Sequence, residues 1–411
     1  MTAAPVSIVV VSRDRPRMLR RCVTGLGQLD YPNFEIIVVA DPEGIEAVKA
    51  GGQSHRFKMV AYDQANIAAA RNLGLAVAAG QVVAFIDDDA VPEPTWLTHL
   101  VAPIAARQAV CAGGFVLGRN GISWQWRARN VRVTGDCESL DVETSEPLLV
   151  QTNPEEGVKT EGTNMAFDRD WLAAVGGFDP AFQFYLDETD LNMRAAKRGV
   201  VSAIVPNAVV HHAYGASVRR RKDRTPLSLF QIGRSLMIYL RKHCPEDRWQ
   251  QVIDRERDRQ KRRALRQMVE GRVEPGDIGL LLRSFDEGLT EGATARIVDL
   301  PPLGPAASPF LRYDRPVPMT GHVAFVARWY NLHKILASAR DALAKGQRVT
   351  IFHYSLTIGF HRISFGDDGI WYQKGGLFGR STRQGPLFQF WSKKSRTAFE
   401  LHRIQAFRPY Q

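Results

Sequence analysis

At 411 residues, with 45% hydrophobic and 24% charged side chains, the chain can bury one or two substantial cores, and its length suggests two domains. A formal net charge of +11 asks for an anionic partner, yet no nucleic-acid-binding module and no basic-aromatic ribonucleoprotein motif is present. No run reaches the roughly 18 to 20 apolar residues of a bilayer span, and Val6 to Val11 is a strand-length run without the basic flank of a signal peptide. Four scattered cysteines without a CxxC pair argue against disulfides and a zinc site and fit a reducing cytoplasm.

Residues 6 to 16, VSIVVVSRDRP, read as a buried strand, a polar loop and the first turn of a helix at Pro16. Met18, Leu19, Cys22, Val23, Leu26 and Leu29 recur at helical spacing, so that helix packs one face on a sheet. FEIIVVADPEG (34 to 44) is a second buried strand closing on Asp41. NIAAARNLGLAVAAGQ (66 to 81) is an Ala-rich helix ended by Gly80, followed by a strand from Val82 to Ile86. Strand, helix, strand, helix, strand is a parallel α/β half-domain.

That last strand runs into Asp87, Asp88 and Asp89. Open α/β sheets bind ligands at this edge, and three adjacent carboxylates repel unless something positive sits among them. Hard oxygen ligands suit Mg²⁺ or Mn²⁺ carrying a nucleotide diphosphate. The competing reading is a polar turn with an Asp helix cap.

Downstream, in GTNMAFDRDWLAAVGGFD (162 to 179), Gly162 permits close backbone approach, and Trp171 either stacks on a ligand or joins the core. LDETDLNMRAAKRG (186 to 199) enters a helix at Asp187, so Asp187, Glu188 and Asp190 share a first turn whose dipole keeps carboxylates ionised. Asp187 is expected to be the N-cap and Asp190 to pair with Arg194, leaving Glu188 to face the cleft as a general base, with Asp187 the alternative.

SRDRP, EIIVVAD, AAARNLG, FIDDDA, EGTNMAFDRDWLAAVGGFD and YLDETDLNMRAAKRG, in this order, resemble the inverting family 2 glycosyltransferases of the GT-A fold over about residues 5 to 218. The resemblance implies a mixed, mostly parallel sheet flanked by helices, a nucleoside-diphosphate-sugar donor and a Mn²⁺ or Mg²⁺ ion. It implies that Ser12, Arg13 and Asp41 hold the base, that Arg71 lies by the nucleotide, and that Asp87 faces the ribose with Asp88 beside it. Asp89 and Asp87 would take the metal, joined by His212 or His211. Residues 162 to 179 would floor the acceptor side, with Gly162, Asn164 and Trp171 as the candidate sugar contacts. The family often has two acids after the second strand, whereas this chain has Ala40 then Asp41, which weakens the case for uridine.

The rest of the chain resembles no family. Basic residues cluster at Arg219, Arg220, Arg221, Lys222 and Arg224 and again from Arg255 to Arg266. PLSLFQIGRSLMIYLRKH (226 to 243), apolar at Leu229, Phe230, Leu236, Met237, Ile238 and Leu240, reads as an interfacial helix on an anionic membrane or as an ordinary core helix. Residues 219 to 298 are thus a basic, helical connector and 299 to 319 a Pro-rich linker. Residues 320 to 411 form a smaller α/β accessory domain of strand, helix, strand and a hairpin turning at DDG.

The expected function is an inverting, metal-dependent transfer of a sugar from a nucleoside diphosphate, UDP by preference, to a hydroxyl of a glycan or lipid-linked acceptor in cell-surface polysaccharide assembly. The expected location is cytoplasmic, at the inner face of the membrane, without nucleic acid. The alternatives are a non-catalytic sugar-nucleotide-binding scaffold and a basic membrane- or polyanion-binding protein.

Overall fold

The computed structural model describes residues 3–213, 221, 223 and 225–409. The first half runs β1 (Val6–Ser12), α1 (Pro16–Leu26), β2 (Phe34–Ala40), α2 (Pro42–Lys49), β3 (Phe57–Ala61), α3 (Ile67–Val77) and β4 (Val82–Asp87). It continues through β5 (Ala90–Pro92), α4 (Trp96–Ala105), β6 (Cys111–Leu117), β7 (Trp124–Trp126), β8 (Arg129–Arg132), β9 (Cys137–Ser139), β10 (Leu148–Gln151) and β11 (Glu156–Val158). It closes with β12 (Met165–Asp168), α5 (Arg169–Ala174), α6 (Asp187–Lys197) and β13 (Val201–His212).

One sheet in the order β10-β13-β6-β12-β4-β1-β2-β3 organises this half, with β5 paired to β13 and β7 to β6. From β3 to β4 the strands are parallel, and β12 runs antiparallel between β4 and β6. Apolar side chains on both faces of β1, β2 and β4 require cover on both sides. Leu19, Cys22 and Leu26 of α1 with Trp96, Leu97 and Leu100 of α4 cover one face, and Ala68, Ala70 and Leu75 of α3 with Leu172 of α5 cover the other. This is the mixed α/β architecture that the resemblance implies, and it delivers the ends of β1 and β4 to one edge.

Three helices follow: α7 (Phe230–His243), α8 (Trp249–Val269) and α9 (Pro275–Thr294). Helices α7 and α9 touch backbone to backbone, because a Cβ at Gly233 would lie 2.1 Å from the Phe285 carbonyl and one at Gly288 2.1 Å from that of Phe230. Leu229, Leu236 and Leu240 are buried against Val252 and Phe285, while Ile238 packs on Phe182 and Val131. The interfacial-helix reading of residues 226 to 243 is therefore corrected: the apolar side chains that would enter a bilayer already form protein core. Of the basic run before it, Arg219, Arg220, Lys222 and Arg224 lie outside the described residues, and Arg221 is exposed. The second run is largely neutralised, Arg255 by Asp136, Arg257 by Asp286 and Arg262 by Asp258. No helix among the described residues is long and apolar enough to cross a membrane.

The Pro-rich segment is a strap laid along the first sheet rather than a loose linker. Its amides at Leu303, Ala307 and Tyr313 donate to the carbonyls of Ala173, Ala76 and Phe34, and Tyr313 is buried on Phe34. It leads to β14 (Gly321–Ala327), α10 (Leu332–Ala344), β15 (Gln347–Ser355), β16 (Arg362–Phe365), β17 (Trp371–Gly376) and α11 (Lys393–Ile404). These form a four-stranded sheet ordered β14-β15-β17-β16, parallel except for the β16–β17 hairpin, as the pattern predicts.

This second sheet is docked, not tethered. Arg408 is 1% exposed, lies 3.6 Å over the Trp371 ring, and donates from Nε and a terminal nitrogen to both oxygens of Glu93 at 2.7 Å each. Val91 packs with Ile363, Phe365 and Trp371 beside this pair. Burial alone would raise the Glu93 carboxyl, but Arg408 and then His211 hold it down at about 2. Removing one partner of such a pair strands the other charge. Arg408→Ala should cost about 3 to 5 kcal/mol of stability in urea unfolding, and a loss under about 0.5 kcal/mol would mean that the halves are held together elsewhere.

Candidate active site

The strand ends bring Asp87, Asp89 and His212 together, with one ligand atom from each within 4.8 Å of the others. The fold explains why: β1 and β4 are parallel neighbours, and β5, two residues beyond Asp88, pairs with the end of β13 so that His212 sits opposite Ala90. His212 Nε2 lies 3.0 Å from Asp89 Oδ1, and its Nδ1 is 2.9 Å from Gln125 Oε1. With Gln125 on Nδ1, Nε2 is the nitrogen turned to Asp89, the arrangement by which second partners orient metal-binding imidazoles. Two carboxylates and an imidazole suit Mn²⁺ or Mg²⁺, so the residues fit the ion that the sequence calls for.

Arg15 reaches over this cluster, 3.1 Å from Asp89 and 2.7 Å from Asp88. Asp88 itself is fully buried and accepts from the Ser12 hydroxyl at 2.7 Å. Burial pushes its carboxyl up to about 7 against the pull of Arg15. Asp88 is thus held inside by Ser12 and Arg15, which corrects its assignment as a nucleotide contact. Strand alternation separates the histidines. His211 turns to Glu93 at 2.7 Å and stacks by Trp371, so it is not a ligand of this cluster.

A cavity of about 290 Å³ opens beside the cluster, walled by Ser12, Arg13, Asp87, Asp89, Trp126 and His212, with Tyr62 and Asn66 on the far side. Asp41 does not line it. Its side chain caps α2 through the Gly44 amide at 2.9 Å and holds the Asp14 amide at 2.7 Å, so it braces the loop after β1 instead of facing the cavity. Arg13 is paired with Asp63 at the cavity mouth.

Behind Asp87 lies a buried charge relay. Arg71, 3% exposed, contacts Asp87 at 3.4 Å, donates to the Gly162 carbonyl at 3.2 Å and pairs closely with Asp187. Gly162 lets the guanidinium come close, since a Cβ would stand 2.5 Å from it and push Arg71 aside. The helix cap is Leu186 rather than the expected Asp187, with Tyr185 and Leu186 both left-handed at φ 72° and 66°. Consecutive left-handed residues without glycine cost of order 1 to 3 kcal/mol each and mark a turn held for a purpose. This turn aims Asp187 at Arg71.

Burial pushes Asp187 up to about 7 against Arg71, whereas Glu188, bound to Lys159 Nζ at 2.5 Å, is brought down to about 2 despite burial. The Glu188 side chain keeps 17% exposure against 4% for Asp187. Neither lines the cavity. Asp190 has none, and Arg194, His243 and Lys242 hold its carboxyl well below the usual carboxylate range, so it is a structural anchor and not a base. The expected Arg194 pair is present at 2.8 Å.

Two acceptor assignments are also corrected. Asn164 is fully buried, accepting from the Trp96 indole and donating to the carbonyls of Phe115 and Ala208. Trp171 lies stacked on Phe167 against the core. Sequence reading missed Gln125, Trp126 and Lys159, which reach the site only through the pairing of β7 and β11, and it passed over Arg15 inside a motif already singled out.

The description "Glycosyl transferase family 2" matches residues 7–176, the stretch that carries the carboxylate edge. This part of the chain is a family 2 glycosyltransferase domain. Residues beyond it are not assigned by that match. The glycosyltransferase domain is similar to the O-antigen biosynthesis protein RfbC of Myxococcus xanthus, 26% identical over 242 residues, 54% of this chain and 18% of that protein. It is also similar to the glucosyl-dolichyl phosphate glucuronosyltransferase of Haloferax volcanii, 29% identical over 181 residues, 42% of this chain and 56% of that one. The chain therefore spans under two thirds of either relative. Among solved structures it is similar to GalNAc-T7 with UDP, GalNAc and Mn²⁺ (17% identity, TM-score 0.44, 58% of this chain and 48% of that one). Another is the mannosyltransferase PcManGT of Pyrobaculum calidifontis with GDP-Man and Mn²⁺ (16% identity, TM-score 0.43, 72% and 77%).

Proposed function

We propose that the protein transfers a sugar, with inversion, from a nucleoside diphosphate to a hydroxyl of a glycan or lipid-linked acceptor. The observation that carries this reading is the Asp87, Asp89 and His212 cluster at the mouth of a nucleotide-sized cavity on a family 2 domain. A divalent ion held there would neutralise charge on the leaving diphosphate. Arg15 lines the cavity beside the same carboxylates and would hold phosphate oxygens, while Arg71 braces Asp87 from behind. Glu188 is the proposed base, being ionised and the most exposed of the three helix acids. It would take the proton of the attacking hydroxyl.

A second cavity, of about 1040 Å³, adjoins the first through Gln125 and Trp126 and draws its walls from both halves of the chain, with Trp124 and Arg127 on one side and Arg383 and Phe407 on the other. We assign it to the acceptor. The likeness to an O-antigen biosynthesis protein supports a cell-surface polysaccharide role.

The test is release of free nucleoside diphosphate from a panel of nucleotide sugars, with and without Mn²⁺. Metal-dependent release is expected with at least one donor. Metal-dependent binding without turnover would favour a sugar-nucleotide-binding scaffold, and no binding would end the proposal.

A further inference from the structure

Nearly all of the net charge resides in residues 320 to 411, which hold 14 Lys and Arg against 4 Asp and Glu, a net +10 out of +11 for the chain. The remaining 319 residues are close to neutral, so the anionic partner that the charge calls for must be sought here. No Asp or Glu occurs between residues 369 and 399.

The same domain carries a set of exposed apolar side chains that the topology gathers at one edge. Strands β14, β15 and β17 are parallel, so the segments leaving their C-terminal ends emerge side by side. The first presents Trp329, 84% exposed, and Tyr330; the second presents Leu356, Ile358 and Phe360. The third, after β17, presents Leu387, Phe388 and Phe390, the last 81% exposed. Backbone bonds stitch the second to the third, Gly376 donating to Gly359 and Phe378 to Thr357, and Gln389 donates to Phe378 within the third. Phe378, Phe388 and Phe390 stack among themselves, with centroids 4.6 to 6.2 Å apart. Large apolar side chains gathered and exposed in this way mark an interaction surface.

Basic side chains frame the edge. Lys334 stands in the first turn of α10 directly after Tyr330, and Lys393 and Lys394 open α11 directly after the phenylalanines, all three exposed. They have no ion-pair partner among the described residues.

We propose that this edge is a docking surface for an anionic lipid bilayer, with the aromatic and aliphatic tips entering the headgroup region and the lysines meeting lipid phosphate. A nucleic acid would match the charge but not eight large apolar side chains, and a protein partner would not require the one-sided charge. Aromatic tips with a basic rim match both layers of a membrane interface. A smaller cavity between Phe360 and Ser123 shares Ile122, Thr382 and Arg383 with the cavity assigned to the acceptor. On the function proposed above, the edge would thus face a lipid-anchored acceptor toward the transfer site. The docking itself does not depend on that reading.

Flotation of the whole chain with vesicles of phosphatidylcholine alone or mixed with phosphatidylglycerol tests it, with no transfer assay involved. Binding to the mixed vesicles, weakened by salt, is expected. Trp329→Ser/Phe360→Ser/Phe390→Ser and Lys393→Glu/Lys394→Glu should each weaken it at least about tenfold, with thermal melting unchanged because every altered side chain is exposed. Failure of the wild-type chain to bind mixed vesicles at low salt would overturn the proposal, as would wild-type binding by both variants. Self-association that the aromatic variant abolishes, without vesicle binding, would reassign the patch to a contact between copies.

Discussion

Glu188→Gln is expected to lower sugar transfer by roughly 10²- to 10⁴-fold while leaving donor binding nearly unchanged. The amide keeps the size of the side chain and a hydrogen-bonding oxygen but cannot take a proton. The rival is Asp187, whose carboxyl is nearer neutrality in strength but is pinned beneath Arg71. Single-turnover rates of Glu188→Gln and Asp187→Asn decide between them: near wild-type transfer in the first with collapse in the second would move the role. Lys159 supplies a further check. It opposes the rise that burial imposes on Glu188, so removing its charge lets the Glu188 pKa climb. A base must be deprotonated, so the acid limb of kcat/KM in Lys159→Met should shift to higher pH. An unmoved limb would mean that Glu188 is not the titrating group.

Asp89→Ala should remove Mn²⁺-dependent thermal stabilisation by nucleoside diphosphates and cut transfer by several kcal/mol, roughly 10²-fold or more. Asp89 accepts from Arg15 and faces His212, so its loss removes a ligand oxygen and releases the cation that steadies the edge. Because Arg15 keeps Asp88 as a partner, the fold should hold, and melting without metal checks that. Asp89→Asn separates charge from shape. Metal-dependent nucleotide affinity equal to wild type in both variants would sink the assignment.

The fold of the first half was legible because its strands are apolar on both faces and end in polar clusters, a pattern with few other solutions. Asp87 and Asp89 were legible for the same reason: a strand end needs no long-range information. What remained hidden was direction. His211 points away because of pleat and register, set by β5 pairing with β13, a contact between residues about 120 apart, and Asp88 is drawn inward by the Ser12 hydroxyl, 76 residues earlier. The helix over Phe230–His243 shows the converse. Its apolar residues gave the same signal for lipid or for core, and the partners that decided, Val252 and Phe285, lie in two later helices whose packing on it no local pattern announces. Lys159 and Gln125 had no local mark at all.

The Glu93–Arg408 pair also bears on the order in which the chain can mature. Its members are 315 residues apart, so Glu93 leaves the ribosome long before its guanidinium exists. At about 5 to 20 residues per second, the gap is roughly 15 to 60 s. Throughout it, the loop next to Asp87 and Asp89 lacks the guanidinium that holds the Glu93 carboxyl down, and for most of it the cover of Trp371 as well, so this carboxylate edge reaches its final form only once the second sheet has been made.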